Sequence, residues 1–592
     1  MKRLAAVFLV ALLVAAGCGK SGTKPREGAA GPRPTPPGAS STESAAVTSP
    51  AGSTASAAPP AENAAAQLGV KSLEGANPPP AVDPVITDGG TLVTRFRAEP
   101  DTLNPLTGRD YYGAQVMGMV YDSLVARNLD TLEWEPRLAE KWEPSDDHLN
   151  YTFHLRNDVR WHDGVPFTSD DVVYSWQKVM DPAVDDPQVK GYYIDLESVA
   201  APDPYTVVFK WRKPYFLSFQ FSAGFPILPK HVFDTGVDFN SHPAGRSPVG
   251  NGMMKFVAWK TSEEIVLERN EDYYGRKPHV KKMVIRFIPD ENAALLQASS
   301  GVVDDMQVTP EQWVKDLTTD VFRENFNRYY FYEPNYRYIG WNEERPFFAD
   351  KRVRRALTEL CDREGFIKNV MFGLAAIVTG TFYINSEDYS PGTKPWPYDP
   401  EDAKRLLDEA GWKDHDGDGI RDKVIDDKTV KFSFNFMYPA GRALSEKLAV
   451  LLQEELRKVG IEVNIQNLEW AIFIEKLNSR DFDAVNLGWS LGIEQDPYQL
   501  WHSSQVNRGS NSVSFKNPEV DKIIEEARVE FDPVKRRALY HRFNDILHEE
   551  QPYTFLYCEA TLEIVEKKFH NVVLHKLGLD TRDWYVPAAL QE

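Results

Sequence analysis

The chain has 592 residues and a formal net charge of −20. That acidic excess would repel phosphates and argues against a nucleic-acid binder. Beyond its first eighty or so residues the chain is long enough for about three domain-sized units.

Lys2 and Arg3 precede an uncharged apolar run from Leu4 to Ala16. The run is too short to span a bilayer and has the length of a signal-peptide core. It ends in Leu13-Val14-Ala15-Ala16-Gly17-Cys18, a bulky residue, small residues and then cysteine, which resembles the bacterial lipobox. Residues 1–18 are therefore expected to be a lipoprotein signal peptide, with Cys18 acylated and anchored in a membrane. The alternative is an ordinary signal peptide cut near Ala-Ala-Gly. Residues 19–83 are rich in Ala, Pro, Gly, Ser and Thr, with no aromatic residue. Such a segment buries too little apolar surface to offset its ordering entropy, and it is expected to be a disordered tether with a reach of about 45 Å.

From about residue 84 aromatic residues become dense, and strand-like and helix-like segments alternate. Residues 91–96 read as an opening strand, and Asn104-Pro105 as a breaker. Residues 113–120 have helical spacing. Residues 151–155 alternate as a strand should, and Thr168 to Asp171 cap a helix running through Gln177. Residues 205–211 and 264–270 read as strands. Residues 338–342 form another strand, which leads into a basic helix over 351–360. Residues 444–459 form an amphipathic helix closed by Gly460, and 519–550 look helical. Cys361 and Cys558 fall in apolar patterns and read as buried small hydrophobes, although spacing alone cannot exclude a disulfide. Mixed elements without a repeat predict an α/β protein in several lobes.

Eight blocks in one order carry a resemblance to solute-binding protein family 5, the peptide/nickel binders of ABC importers, and most of all to its oligopeptide-binding members. They are Asp101-Thr-Leu-Asn-Pro105, Tyr121-Asp-Ser-Leu-Val125, Pro136-Arg-Leu-Ala-Glu-Lys-Trp142, and Tyr151-Thr-Phe-His-Leu-Arg156 with Trp161-His-Asp-Gly164. They continue with Thr168 to Gln177, Asn251-Gly-Met-Met-Lys-Phe256 with Ile265-Val-Leu-Glu-Arg-Asn270, Pro346 to Leu357, and Asp481-Phe-Asp483 with Gly488-Trp489. The resemblance implies a three-lobe fold like the type II periplasmic binding proteins. Lobe I would comprise 84–116, 241–340 and 556–592, the inserted small lobe 117–240, and lobe III 341–555. It further implies an extracytoplasmic, monomeric, lipid-anchored binding protein that is not an enzyme, closes on peptides by hinge motion and delivers them to ABC permease subunits.

In peptide-binding members an extended ligand pairs with protein backbone, and an acid after the Gly-Trp turn holds its ammonium group. The resemblance thus points to Trp489, Ser490 and Leu491 and to two carboxylates, Glu494 and Asp496. It also places Trp470, Tyr174, Tyr332 and Tyr336 at or near the cleft, and Arg109, Asp110 and Tyr111 on the lobe I side. Two departures stand out. Asn486 occupies a place where some oligopeptide binders carry a basic residue, and Asn251-Gly-Met-Met replaces a more usual Gly-Pro-Tyr or Gly-Ala-Tyr.

Asp414-His-Asp416-Gly-Asp418-Gly419-Ile-Arg421-Asp422 sets carboxylates at alternate positions with glycine at the sixth, a pattern that can wrap a structural calcium ion. Arg421 and Ile425 stand at the eighth and twelfth positions, so it is not an EF-hand. No other cofactor is expected. No His-Glu-x-x-His pair, phosphate-gripping glycine loop or cysteine pair at metal spacing occurs. Three further readings keep the same fold: a nickel or haem binder, an oligosaccharide binder, and a peptide sensor for a signalling partner.

Overall fold

The computed structural model describes residues 73–108, 110–185, 187–507 and 509–591. The expected signal peptide, Cys18, most of the expected tether and Arg109 lie outside them. The end of that tether is described and is not loose. The Asn77 amide donates to the Tyr330 carbonyl at 2.9 Å, and Asp83 pairs with His570 at 2.7 Å. The body therefore begins before residue 84, and by residue 73 the chain is already within reach of these contacts.

Twelve strands among the described residues form one hydrogen-bonded sheet. One half runs Glu462–Leu468, Ser433–Pro439, Ala484–Ser490, Asn335–Trp341, and the other runs Asp305–Gln307, Thr91–Phe96, Lys282–Phe287, Glu264–Arg269, Met254–Lys260. The 14-residue strand Tyr553–Glu566 joins the two halves. Its first residues pair with Asn335–Trp341, and its last seven pair with Phe326–Tyr332. Two adjacent antiparallel segments, 332–335 and 557–560, thus carry the chain between lobe I and lobe III. The crossing lies about six residues before the expected 340/341 boundary. No change of composition marks it, because the strand period continues through it.

The small lobe has its own four-stranded sheet, Ala139–Pro144, Asn150–Leu155, Thr206–Trp211, Leu196–Asp203, and its own aromatic core. The chain leaves lobe I after the helix Tyr111–Val120 and returns at Gly250, where the Gly252 amide donates to the Val120 carbonyl at 2.8 Å. The insert therefore spans about 121–250, somewhat more than the expected 117–240. Its helix Ser169–Met180 begins where expected, with the Asp171 carboxylate accepting the Thr168 amide at 3.0 Å. The helical stretch at 519–550 is two helices, Pro518–Val529 and Pro533–Glu550, because proline starts a helix far more readily than it continues one. Cys361 and Cys558 are both buried and free.

Candidate functional site

A cleft of about 700 Å³ opens on the lobe I side of the crossing strands, walled by lobe I, the base of the insert and the C-terminal segment. Glu563 of the Tyr553–Glu566 strand lines it, and the alternation of that strand puts Glu559 and Thr561 on the same face as Glu563. Four residues at about 3.3 Å each separate Glu559 from Glu563 by roughly 13 Å.

The Glu559 end carries an excess of positive charge. Arg337 donates to the Glu559 carboxylate at 3.1 and 3.3 Å, and Arg442 lies 3.6 Å from it. Two guanidinium groups thus share one carboxylate. The neighbouring Arg337 charge, together with burial, lowers Arg442 to about 10, while both arginines hold Glu559 below the usual carboxylate range against its burial. Gly488 makes the Arg337 pose possible: a Cβ there would lie 2.3 Å from Nη1 of Arg337.

The Glu563 end is acidic. Glu563 stands opposite Gln307, and Asp305 lies two residues along the same face of the neighbouring strand. Glu333, in the crossing turn, accepts a hydrogen bond from the Thr561 hydroxyl at 3.0 Å. Burial pushes all three carboxyls up, and the Asp305 charge raises Glu563 further. Tyr111 lines the same cleft, its phenol raised by burial and by the charges of Glu333 and Glu563.

The sequence-derived site residues divide sharply. Tyr111 faces the cleft. Asp110 is a helix cap, its carboxylate accepting from the Gly113 amide at 2.7 Å. Asp496 is 1 % exposed and already engaged: the Tyr215 hydroxyl donates to it at 3.0 Å, and Arg528 lies 2.9 Å away. Glu494 pairs with Arg127 of the insert and with Arg536. Arginines remote in sequence therefore partner both of the acids expected to meet a ligand ammonium. Together they fasten the insert to lobe III. Tyr174, expected at or near the cleft, belongs to the insert core and lines a separate pocket built of insert residues alone. Tyr332 and Tyr336 are buried, the latter sharing a hydrogen bond of 3.0 Å with the Thr381 hydroxyl, so both serve packing. Trp470 stacks on Phe473 at the start of its helix.

Trp489 is half-buried and stacks parallel to Tyr338, and the Leu491 amide donates to the Pro334 carbonyl at 2.8 Å. Gly488-Trp489-Ser490-Leu491-Gly492 spells the nucleophile-elbow pattern. An elbow needs an exposed serine on a strand-to-helix turn. Ser490 instead ends a strand, is buried, has a hydroxyl without a hydrogen-bond partner among the described residues, and is followed by a loop. The residues missed by sequence reasoning are Asp305, Glu333, Glu559, Glu563, Arg337 and Arg442. The signal for them was Glu559 and Glu563, four apart in a largely apolar strand.

The acidic loop lies outside the cleft. Asp414, Asp416 and Asp422 offer oxygens within 4.8 Å of one another, and the Lys431 ammonium lies among the acids, 2.7 Å from Asp416, 2.9 Å from Asp418 and 3.6 Å from Asp422.

Residues 133–511 match the family model of bacterial extracellular solute-binding proteins, family 5 Middle. Among curated proteins, the oligopeptide-binding protein AppA of Bacillus subtilis is 34 % identical over 478 residues, covering 79 % of this chain and 86 % of AppA. A solved structure of that protein in complex with a nonapeptide aligns with a TM-score of 0.73 at 32 % identity, over 85 % of this chain and all of the other. NikZ of Campylobacter jejuni in complex with Ni(L-His) aligns with a TM-score of 0.71 at 27 % identity, over 84 % of this chain and 99 % of NikZ. The sheet crossing, the small inserted lobe and the matched span agree. The chain belongs to family 5 of the bacterial extracellular solute-binding proteins, which bind their ligands and are not enzymes.

Proposed function

We propose that this protein is the substrate-binding component of an ABC importer, capturing peptides in the cleft and delivering them to the permease. One observation supports this most: a cleft with acidic residues on its wall, and an arginine-held carboxylate four residues away along the crossing strand, both beside the two strand segments that join the lobes. A zwitterionic, extended guest suits opposite poles roughly 13 Å apart along a strand. Two crossing segments allow rigid lobes to close over it by small backbone rotations. The names of the relatives AppA and of its nonapeptide complex add weight to peptide over other solutes. Among the described residues that line the cleft there is no histidine. Acylation of Cys18 would tether a monomeric body outside the cytoplasm, and among the described residues no helix is long and apolar enough to cross a membrane. Native mass spectrometry of protein purified without denaturant is expected to find a ladder of short peptides bound. A protein that retains none when offered a diverse peptide pool sinks the reading.

A calcium ion at 414–422 would have to displace the Lys431 ammonium. Millimolar calcium is accordingly expected to leave the unfolding temperature of the wild type unchanged and to raise that of Lys431→Met. A rise in the wild type would show that the ion wins against the lysine.

A further inference from the structure

The lobes are joined twice. One joint is the pair of crossing segments, 332–335 and 557–560. The other runs through the insert, which is seated on lobe I at one seam and on lobe III at another. Rotation at the crossing segments cannot go far without parting one of those seams. The seam with lobe I is built to stay shut. The Leu103 amide donates to the Gly245 carbonyl at 2.8 Å. The Asp122 carboxylate accepts the hydroxyls of Tyr273 and Tyr274 at 2.8 and 2.7 Å, and the Asp122 amide donates to the Asn251 side chain at 2.8 Å. These three partners all come from lobe I, so parting the seam would strip Asp122 of them together.

The seam with lobe III is of another kind. Tyr215 and Phe216 of the insert lie beneath two guanidinium groups of lobe III, Arg528 over the first ring at 4.9 Å and Arg536 over the second at 4.3 Å. The Tyr215 hydroxyl donates to Asp496 at 3.0 Å, and the Phe216 amide donates to the Arg528 carbonyl at 2.9 Å. His148 stacks on Phe531 at 3.8 Å, and Arg127 pairs with Glu494. Yet each acid keeps partners on its own lobe: Arg528 at 2.9 Å and the Tyr498 amide at 3.0 Å for Asp496, Arg536 at 3.3 Å for Glu494. Parting this seam leaves no carboxylate uncompensated, which is what makes most buried ion pairs so costly to break. Of the two seams, this is the one that can open and re-form.

We propose that the insert is a releasable latch: Tyr215, Phe216, His148 and Arg127 hold lobe III against the lobe I side, and they must leave it before the cleft opens. The inference rests on the peptide reading for the lobe motion and for the guest. Tyr215, Phe216 and His148 stand outside the cleft lining, whereas Arg127 belongs to it. The first three therefore act on how fast any guest leaves and not on which guest is chosen. Weakening them lowers the cost of opening equally for every guest, so all residence times shorten by one factor.

The test uses the full chain carrying Tyr215→Phe and His148→Asn, with Arg127 unaltered. The first change removes the hydroxyl on Asp496 and keeps the ring. The second removes the stack and suits the positive φ of 55° at His148. Hydrogen exchange read by mass spectrometry follows two amides, Phe216 across the lobe III seam and Leu103 across the lobe I seam. The double variant is expected to exchange Phe216 roughly 10- to 100-fold faster, the effect of losing one charge-assisted hydrogen bond and one stack, with Leu103 unchanged. Native mass spectrometry then times the loss of a bound pool of tri- to nonapeptides after dilution. Every peptide should leave sooner by one common factor of that size, whereas a lost ligand contact would sort the peptides by sequence. Unchanged exchange at Phe216 overturns the latch. So does faster exchange at Leu103, because the insert would then ride with lobe III or loosen as a whole. Faster exchange at Phe216 with unaltered or sequence-sorted peptide loss also overturns it, and leaves peptide capture standing. A wild type that takes up nothing from the pool overturns peptide capture, while the two amides still decide whether the seam parts.

Discussion

Replacing Asp496 with alanine lowers the stability of the protein by about 3 kcal/mol, the low end of the cost of breaking a buried ion pair. The carboxylate is fully buried and serves three groups at once: the Tyr215 hydroxyl at 3.0 Å, Arg528 at 2.9 Å and the Tyr498 amide at 3.0 Å. Removing it leaves a phenol and an amide without acceptors. Arg528 is about a quarter exposed and can recover some hydration, which is why the upper end is not expected. Asp496→Asn keeps the shape and the neutral acceptor, and it should cost about half as much. Thermal unfolding and urea midpoints measure both. An Asp496→Ala protein that unfolds like wild type but no longer binds peptide would restore this acid to the ligand and remove it from the lobe junction.

The second large effect is expected at Gly250→Ala. A Cβ there would lie 1.9 Å from the Val120 carbonyl oxygen and 2.7 Å from the Val120 carbonyl carbon. Both are backbone atoms where the chain leaves lobe I for the insert, and the same oxygen accepts the Gly252 amide. No rotamer change relieves the clash, so the two strands of the junction must separate, at a cost of about 2–3 kcal/mol. Gly118→Ala is the matched control. It lies in the helix Tyr111–Val120, its Cβ would meet nothing within 4 Å, and it should be neutral or stabilising by up to about 1 kcal/mol. Equal unfolding temperatures for the two variants would mean that the junction tolerates the displacement.

These two sites mark where sequence reading succeeds and stops. Elements with a strong local period were legible: the helix expected over 444–459 is Ala443–Arg457, and the strand expected over 151–155 is Asn150–Leu155. The family was legible because eight short blocks stood in one order. The cleft was not. Glu494 and Asp496 stand in a loop after a tryptophan and look available, but Arg127, Tyr215, Arg528 and Arg536, which satisfy them, come from other parts of the chain. Glu563 looks like one polar residue in a buried strand. Its character depends on Asp305 and Glu333 arriving beside it without a cation, which no local window reveals. The lobe boundary was misplaced for a related reason, since a strand shared by two lobes has no break to read.

The crossing strand also carries Cys558, whose sulfur lies 3.5 Å from the Glu333 carbonyl oxygen, directly at the passage between lobes. Its thiol is buried and raised far above the ordinary thiol range, and Cys361 is pushed up to about 12, so neither is nucleophilic while the fold is shut. An alkylating reagent therefore reaches Cys558 only during excursions that part the segments around it. The protein thereby contains its own chemical clock for breathing at the passage, readable without an attached label.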